Sequence, residues 1–251
     1  MNLAQNWLVS DMNPGLTDQP RPAFHPSQRH PRDAATLILV DRSGAEPRIL
    51  LGQRHRNLAF MPGYFVFPGG KVEAYDSRVL ALGRLSGHVE AHLQRAVSRP
   101  SPARARAYAL AAIRELAEET GLMVGELTPP KGPLQGDWSL FAEKSVTPTL
   151  DDIWLVARSV TPPGLSRRYD TRFFAADASR VCLSFEGTIH PDAELVDLRW
   201  ATFEETREMN LHAITRIVLD ELQLRLETGI DSDAPVPFFR SRGGVLHRLE
   251  I

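Results

Sequence analysis

The most concentrated charge in the sequence lies in the stretch RELAEETGL, residues 114–122. Glu115, Glu118 and Glu119 are three and four positions apart, so on a helix they project from one face. Like charges at these spacings repel each other by about 0.2–0.5 kcal/mol per pair, and a helix end before Gly121 disfavours anions. A divalent cation would turn this repulsion into attraction, since Mg²⁺ prefers hard oxygen ligands. A solvated helix face is the simpler interpretation of any two of these glutamates, but the three together predict a cation site.

A second group of residues suited to ligand binding is the loop FPGGKVE, residues 67–73. Gly69 and Gly70 allow the backbone to approach a ligand or a metal closely and can turn carbonyl or N–H groups inward. Two adjacent glycines on their own indicate no more than a turn. Arg114 lies about 100° around the helix from Glu115, so we expect it to orient one of the carboxylates and not to bind a metal.

Taken together, these residues match the core of the Nudix box, R-E-U-x-E-E-x-G-U, in which U is aliphatic. The matching positions are Arg114, Glu115, Leu116, Glu118, Glu119, Gly121 and Leu122. The sequence therefore resembles the Nudix hydrolases over about residues 34–228. The resemblance implies an α/β protein, a Nudix α/β/α sandwich with a mixed β-sheet, with the box helix packed against the sheet and a helical insertion inside the box.

The spacing inside the box departs from the family pattern. The usual box reads G-x5-E-x7-R-E, whereas this sequence has Asp76 six residues after Gly70 and 37 residues between Asp76 and Arg114. We interpret residues 77–106 as an insertion in the loop before the box helix, where additional length costs little. The resemblance gives the first box Glu a loop-bracing role, and whether Asp76 takes over that role stays open at this point.

The resemblance implies an enzyme, a diphosphatase that hydrolyses a diphosphate linkage in a small nucleoside diphosphate derivative with Mg²⁺ or Mn²⁺ as its cofactor. The metal ligands that it implies are Glu115, Glu118, Glu119 and a carbonyl of the glycine pair, taken as Gly70. Arg114 is implied as the residue that orients a glutamate, and it completes the helical part of the catalytic set.

A general base in this family often comes from a loop late in the domain. The segment HPDAELVDLRW, residues 190–200, precedes a predicted strand at such a place. Glu194 is our candidate and Asp192 the reserve. An exposed carboxylate at the start of a strand is an equally good interpretation of either residue.

Substrate phosphates require cations. The candidates are Arg54 and Lys71, which are close in sequence to the glycine loop, and Arg172 in the stretch RRYDTRFF. Arg56, Arg167 and Arg168 lie in the same two clusters. For any one of these residues a solvated surface role is the simpler interpretation, and only their clustering favours phosphate binding.

The identity of the diphosphate is suggested by residues upstream of the box. An interrupted box resembles the branch of the family that contains acyl-CoA diphosphatases, and LLGQRHRNLAFMPGYFVFPGG shares Arg54, Leu58, Gly63 and FPGG with its CoA signature. The histidine expected between Leu58 and Gly63 is absent. CoA or acyl-CoA is the leading hypothesis, and ADP-ribose or another nucleoside-diphosphate sugar is the alternative. A non-catalytic nucleotide-binding module is a further alternative, which the retention of all three glutamates disfavours.

The whole chain is typical of a globular protein. Its 251 residues are 43% hydrophobic and 24% charged, with a formal net charge of −2, which gives no reason to expect a nucleic acid or an anionic membrane as a partner. No apolar run approaches the ~20 residues of a membrane helix. The one cysteine, Cys182, excludes an intrachain disulfide and is predicted to be a core residue. These features predict a cytoplasmic protein.

The chain is predicted to contain one mixed α/β domain at residues 34–228, a Pro-rich N-terminal arm at 1–33 and a loosely attached tail at 229–251. Helical spacing begins at Val79, and the Ala-rich segment 103–121 is the best helix candidate. Short helices are predicted at 137–146 and 203–210, and an amphipathic helix at 211–228. Predicted strands are 34–40, 48–54, 64–67, 152–160, 171–177 and 194–202, the first two forming a hairpin. The insertion or the 211–228 helix could also form a homodimer contact.

Overall fold

A computed structural model describes residues 7–8, 30–58, 60–132, 134–165, 167–230, 233–242 and 245–251. Most of the predicted N-terminal arm therefore lies outside the described residues. The strands are β1 (Trp7–Leu8), β2 (Arg32–Asp41), β3 (Arg48–Arg54), β4 (Phe65–Val66), β5 (Gly69–Lys71), β6 (Leu122–Glu126), β7 (Thr147–Pro148), β8 (Trp154–Val160), β9 (Tyr169–Asp177), β10 (Val181–Ser184), β11 (Leu195–Thr202), β12 (Pro237–Arg242) and β13 (Val245–Glu250). The α-helices are α1 (Gly87–Gln94), α2 (Pro102–Thr120), α3 (Ser139–Glu143), α4 (Phe203–Glu208) and α5 (Ala213–Thr228), and short 3-10 turns cover Asp76–Arg78, Gly136–Trp138 and Ala178–Arg180.

A mixed sheet forms the middle layer. Within the described ranges its strands run in the order β1-β13-β12-β8-β9-β2-β3-β11, with β4 paired to β3 and β5 paired to β2. The β2–β9 and β8–β12 pairs are parallel and the other pairs are antiparallel. The predicted hairpin is confirmed, because Val40 pairs with Ile49 across β2 and β3. A smaller sheet, β10-β6-β7, lies beside it.

Both faces of the sheet are buried, which explains the unbroken apolar run in β2. Leu37 and Leu39 belong to the core that packs under α2, whereas Ile38 and Val40 belong to the core on the α5 side. Side chains alternate between the two faces of a strand, so a strand with helices on both sides has no polar face. The predicted α/β sandwich with a mixed sheet is confirmed.

Helix α2 carries the charged stretch and packs on β2 with its small residues. Ser101 caps its first turn by accepting a hydrogen bond from the Arg104 N–H, and Pro102 occupies the first turn. Both features favour helix initiation. Gly121 ends the helix with φ of 75°, a left-handed conformation that glycine adopts without strain. The buried alanines allow the helix to lie close to the sheet.

The prediction of a helix that begins at Val79 is wrong. The backbone of Leu82 pairs instead with the chain around β7: its N–H donates to the Pro148 carbonyl at 2.8 Å, and its carbonyl accepts from the Leu150 N–H at 3.0 Å. Helix α1 begins only at Gly87, and its Val89 and Leu93 join the core beneath the insertion. The competition between these long-range backbone hydrogen bonds and a local helix is not visible in the apolar spacing.

The prediction of a loosely attached C-terminal tail is also wrong. Strand β12 pairs in parallel with β8, and β13 pairs with β12 from Pro237 to Arg242. Phe238, Phe239 and Leu246 are buried. The two strands therefore extend the main sheet, and the apolar area that they bury holds them there.

The remaining helices and strands agree with the predictions in type more than in length. The predicted helix at 137–146 is a 3-10 turn followed by α3, and strands β1, β5, β6, β7 and β10 were not predicted. Cys182 lies half-buried on β10 against the core and donates a weak hydrogen bond to the Met123 carbonyl at 3.5 Å. None of the helices within the described ranges combines the length and the apolar composition that a membrane crossing requires.

Candidate active site

Arg114 lies at the centre of the candidate site, with a side chain that is only 2% exposed. Its Nη1 donates to Glu115 at 2.8 Å and to Glu118 at 3.0 Å. Its Nη2 donates to the Lys71 carbonyl at 2.8 Å, which connects the helix to the end of β5. Sequence reasoning expected Arg114 to orient one carboxylate. In the structure it orients two box glutamates and also holds Asp76.

Asp76 is fully buried and its two carboxylate oxygens accept four hydrogen bonds. Oδ1 accepts from the Arg114 Nε at 3.0 Å and from the Trp138 indole N–H at 2.7 Å. Oδ2 accepts from the Glu73 N–H at 2.7 Å and from Arg114 Nη2 at 3.2 Å. The open question about Asp76 thus has a structural answer: it braces the loop after the glycine pair and fixes the arginine of the box, 38 positions later in the chain.

The glycine pair lies against the carboxylates of α2. The Gly69 N–H donates to Glu119 at 2.9 Å. A Cβ on Gly70 would lie 2.4 Å from the Glu115 carboxylate, and one on Gly69 would lie 2.5 Å from the Ala35 carbonyl. A side chain at position 69 would collide with the backbone of β2, so glycine is required there, whereas a side chain at position 70 would displace the Glu115 carboxylate.

The pKa values of all three box glutamates are raised. Burial raises the pKa of Glu118 to about 7, with Arg114 opposing the shift and Glu115 adding to it. Burial likewise raises the pKa of Glu115, again opposed by Arg114. The pKa of Glu119 is well above its usual value because of burial and the charge of Glu194, and the Gly69 N–H opposes these effects only in part. The site therefore holds more negative charge than its own cations neutralise.

Arg114 shows the complementary effect. Burial alone would lower the pKa of its guanidinium, but the hydrogen bonds to Asp76 and the charges of Glu115, Asp76 and Glu118 raise that pKa above its usual value. The guanidinium is permanently charged, and its single charge cannot compensate Asp76 and the three box glutamates by itself.

Glu194, the candidate base, faces the same site from the start of β11. Its Oε1 accepts from the Arg54 Nη1 at 2.7 Å, and its side chain is 50% exposed. Arg54 is fixed in turn, because its Nε donates to the Phe60 carbonyl at 2.9 Å. The charge of Glu194 contributes to the raised pKa of Glu119 and, more weakly, to that of Glu115. The structure brings Glu194 to the box glutamates, whereas the reserve Asp192 is an exposed loop residue.

Comparison with solved structures identifies the architecture. A Nudix hydrolase from Alicyclobacillus acidocaldarius superposes with a TM-score of 0.60 and 24% sequence identity, over 82% of this chain and 100% of that one. The chain has the Nudix fold. The fold that the resemblance of residues 114–122 implies is confirmed by this match, and we refer to α2, which carries these residues, as the Nudix helix.

Two curated Nudix proteins are similar in sequence. The acyl-coenzyme A diphosphatase NUDT19 of Homo sapiens is 29% identical over 213 residues, and nudix hydrolase 7 of Caenorhabditis elegans is 26% identical over 154 residues. The matches cover 64% and 57% of this chain and 55% and 43% of those proteins, respectively. The chain thus spans about half the length of the curated relatives it matches. No protein-family model matches the sequence.

The three predicted substrate-binding cations have different environments. Lys71 is exposed at the end of β5. Arg54 is 12% exposed and is held by Glu194. Arg172 is 1% exposed and bonded to Asp33 at 2.8 Å, with its guanidinium 3.8 Å from the Tyr108 ring. Arg172 is therefore a structural residue between β9 and α2, and its prediction as a substrate ligand is wrong because its side chain does not reach the surface.

The Nudix helix offers the donor set of a divalent-cation site without presenting one already assembled. Nowhere in the part of the chain that the structure describes are three His, Cys, Asp or Glu side chains grouped closely enough to hold a metal ion. Arg114 holds Glu115 and Glu118, and the Gly69 N–H holds Glu119. The residues nevertheless fit a hard divalent cation, because they are carboxylate oxygens with a buried negative charge in excess.

Sequence reasoning did not find two of the contacts that build this site. Trp138 lies in the 3-10 turn Gly136–Trp138, and no sequence motif predicts its hydrogen bond to Asp76. The pairing of Arg54 with Glu194 joins residues 140 positions apart. The upstream match to the CoA signature singled out Arg54, and the position of Glu194 before β11 singled out the carboxylate, but nothing in the sequence connected the two.

Proposed function

We propose that this chain is a Nudix-type diphosphatase that hydrolyses a diphosphate linkage in a nucleoside diphosphate derivative with the help of Mg²⁺ or Mn²⁺. The observation that carries the proposal is that Glu115, Glu118 and Glu119 lie on one face of α2 beside the glycine pair with raised pKa values, and that the charge of Glu194 acts on Glu119. A structural role alone would not explain an excess of buried negative charge over the charge of Arg114, since uncompensated buried charge is costly.

Each residue has a role in this proposal. Glu115, Glu118, Glu119 and the Gly70 carbonyl would hold the cation. When bound, the cation neutralises phosphate charge and lowers the pKa of a water. Arg114 keeps two of the glutamates in place by the hydrogen bonds described above.

Glu194 is proposed as the group that accepts the proton of the attacking water. Its Oε1 is held by Arg54, which leaves Oε2 as the accepting atom. Its exposed half allows water to reach the carboxylate. Base and nucleophile must be within hydrogen-bond reach for such a transfer, and the electrostatic influence of Glu194 on Glu119 is consistent with a position beside the reacting phosphate.

CoA or acyl-CoA is the substrate that we propose. The similarity to an acyl-coenzyme A diphosphatase over 64% of the chain supports this choice, as do Arg54, Gly63 and the FPGG sequence upstream of the box. Lys71, exposed beside the glycine pair, is the proposed phosphate contact. A cytoplasmic location and a homodimer stay predictions from the sequence.

A substrate panel tests the proposal. Purified protein would be incubated with CoA, acetyl-CoA, ADP-ribose, NADH, diadenosine polyphosphates or dNTPs, with Mg²⁺ or Mn²⁺, and products separated by chromatography. We expect release of 3′,5′-ADP and a phosphopantetheine from CoA, with the Glu119→Gln variant as the inactive control. Preferred cleavage of ADP-ribose would replace CoA as the proposed substrate. Nucleotide binding without turnover of any compound would identify a non-catalytic module.

A further inference from the structure

We propose that Trp138 is a positioning residue of the carboxylate site, acting through Asp76 and Arg114 on the glutamates of the Nudix helix. The inference rests on the proposed function, since it names a residue that supports the same site. Trp138 does not touch the site itself. It lies 62 positions after Asp76 in the chain, in the 3-10 turn Gly136–Trp138.

The contact between the indole and the carboxylate is short and completely buried. The Trp138 Nε1 donates to Asp76 Oδ1 at 2.7 Å, and both side chains have 0% exposure. The same oxygen accepts from the Arg114 Nε at 3.0 Å. A buried carboxylate that loses a hydrogen-bond donor must find another partner or rotate, because leaving its oxygen unsatisfied in the protein interior costs free energy. The indole therefore fixes the orientation in which Asp76 receives Arg114.

A second contact joins the same two segments in the opposite sense. The Tyr75 hydroxyl donates to Asp137 Oδ2 at 3.0 Å. The Tyr75 ring also lies 5.7 Å from the Arg114 guanidinium. Residues 75–76 and 137–138 are thus connected by two reciprocal side-chain hydrogen bonds. This connection holds the start of the insertion against the chain that follows the Nudix helix.

The consequence for the site follows from the chain of contacts. Trp138 orients Asp76, Asp76 makes two hydrogen bonds to Arg114, and Arg114 holds Glu115 and Glu118. The aspartate is one methylene shorter than the Glu of the usual box, and it starts a long insertion. Supporting residues of this kind change metal affinity or activity by about 10–100-fold when they are removed.

The test uses Trp138→Phe in the full chain, with Mn²⁺ alone as the probe. Bound and free Mn²⁺ would be measured by electron paramagnetic resonance, and kcat and KM with the substrate found in the panel. We expect the Kd for Mn²⁺ to rise about tenfold and kcat to fall about tenfold, with KM changed less than about twofold.

Phe141→Leu is the matched control, because Phe141 is fully buried with its ring 4.6 Å from that of Trp138 but does not bond Asp76. We expect this variant to lower the melting temperature and to leave the Kd for Mn²⁺ unchanged. If Trp138→Phe does not fold, benzothienylalanine at position 138, with sulphur in place of the N–H, removes the donor at nearly constant volume.

The outcomes separate the two proposals. Wild-type protein that binds no Mn²⁺ overturns the proposed function and this inference with it. Wild-type binding that is retained in full by the Trp138 variants, or that Phe141→Leu weakens equally, overturns the positioning role and leaves the proposed function standing. Weaker Mn²⁺ binding in the Trp138 variants alone supports the positioning role.

Discussion

Two buried arginines of this protein lie in opposite electrostatic surroundings. Arg114 is surrounded by Asp76, Glu115 and Glu118, with two further glutamates nearby. Around Arg172, cations are in excess. Asp33 binds Arg172 and Arg104, and Asp170 binds Arg172 and Arg158.

The pKa shifts express this difference. The box glutamates have raised pKa values. Burial alone would raise the pKa of Asp33, but Arg172 and Arg104 lower it below its usual value. Carboxylates that are each bonded by two arginines are stabilised in their charged form, which is typical of a structural cluster, whereas buried carboxylates with raised pKa values favour a ligand of positive charge.

The largest expected effect is the loss of activity in Glu119→Gln. This change removes one negative charge and keeps the side-chain volume, so turnover should fall by at least about 100-fold, or about 3 kcal/mol in transition-state stabilisation. Glu118→Gln should lower turnover at least about tenfold. Stability should be equal or higher in both variants because a buried repulsion is relieved. Steady-state rates with melting curves check this, and near-wild-type rates in both would contradict the metal-site interpretation.

Arg172→Met should show the reverse pattern. Removing one member of a buried ion cluster leaves Asp33 and Asp170 with fewer partners, which should lower the free energy of unfolding by about 3 kcal/mol. Urea unfolding measures the loss, and kcat of the folded variant at low temperature should stay within about twofold of wild type. Arg199→Met is the control, since Arg199 is 60% exposed. An Arg172→Met variant with wild-type stability and a large increase in KM would contradict the structural role and indicate that Arg172 binds the substrate.

The two clusters should also differ in their pH dependence. The folded-state pKa of Glu118 is raised from 4.5 to about 7, so its contribution to stability is present below pH 4.5 and is lost as the pH rises through 7. In metal-free protein with a chelator, wild type should lose about 2–3 kcal/mol relative to Glu118→Gln between pH 4.5 and 8. Urea unfolding across this pH range measures the free energy of unfolding of both proteins. If it depends on pH in the same way in both, Glu118 is ionised in the folded protein without a loss of stability.

The Arg172 cluster should respond only in acid. The pKa of Asp33 is lowered, so its contribution is present above the usual aspartate range and is lost as the pH falls below it. Unfolding of Asp33→Asn should therefore be less sensitive than wild type to acidification below about pH 4. A wild-type protein whose stability is constant through that range would contradict the paired state of Asp33.

The smallest expected effect is that of Asp192→Asn. Asp192 is exposed, and its replacement should change kcat by less than about twofold. Glu194→Gln, the matched partner, should lower kcat by about 100-fold if Glu194 is the base. Equal effects of the two changes would remove Glu194 from that role.

Much of this fold follows from local patterns. The apolar run of β2, the Ala-rich helix that ends at Gly121 and the strand at 48–54 were predicted from the apolar pattern, helix propensity and the capping glycine. The same rules gave wrong predictions where backbone hydrogen bonds join segments that are far apart in the chain. The backbone of Leu82 bonds to the chain around Pro148 instead of forming a helix, and β12 joins β8 from a segment rich in turn residues.

The sequence by itself determined the face of the Nudix helix. Spacings of three and four positions place Glu115, Glu118 and Glu119 together in any helix, and Gly69 and Gly70 mark the loop that approaches them. These features are local, so they do not depend on how the rest of the chain folds.

Tertiary structure alone decided which other residues serve that face. Asp76, Trp138 and Glu194 come from three separate segments, and only the packing of those segments brings them to the box. The same holds for Arg172, which is buried because Asp33 lies beside it after a separation of 139 positions. Whether a charged side chain is a ligand or part of the core depends on the partners that folding supplies, and one-dimensional spacing does not contain them.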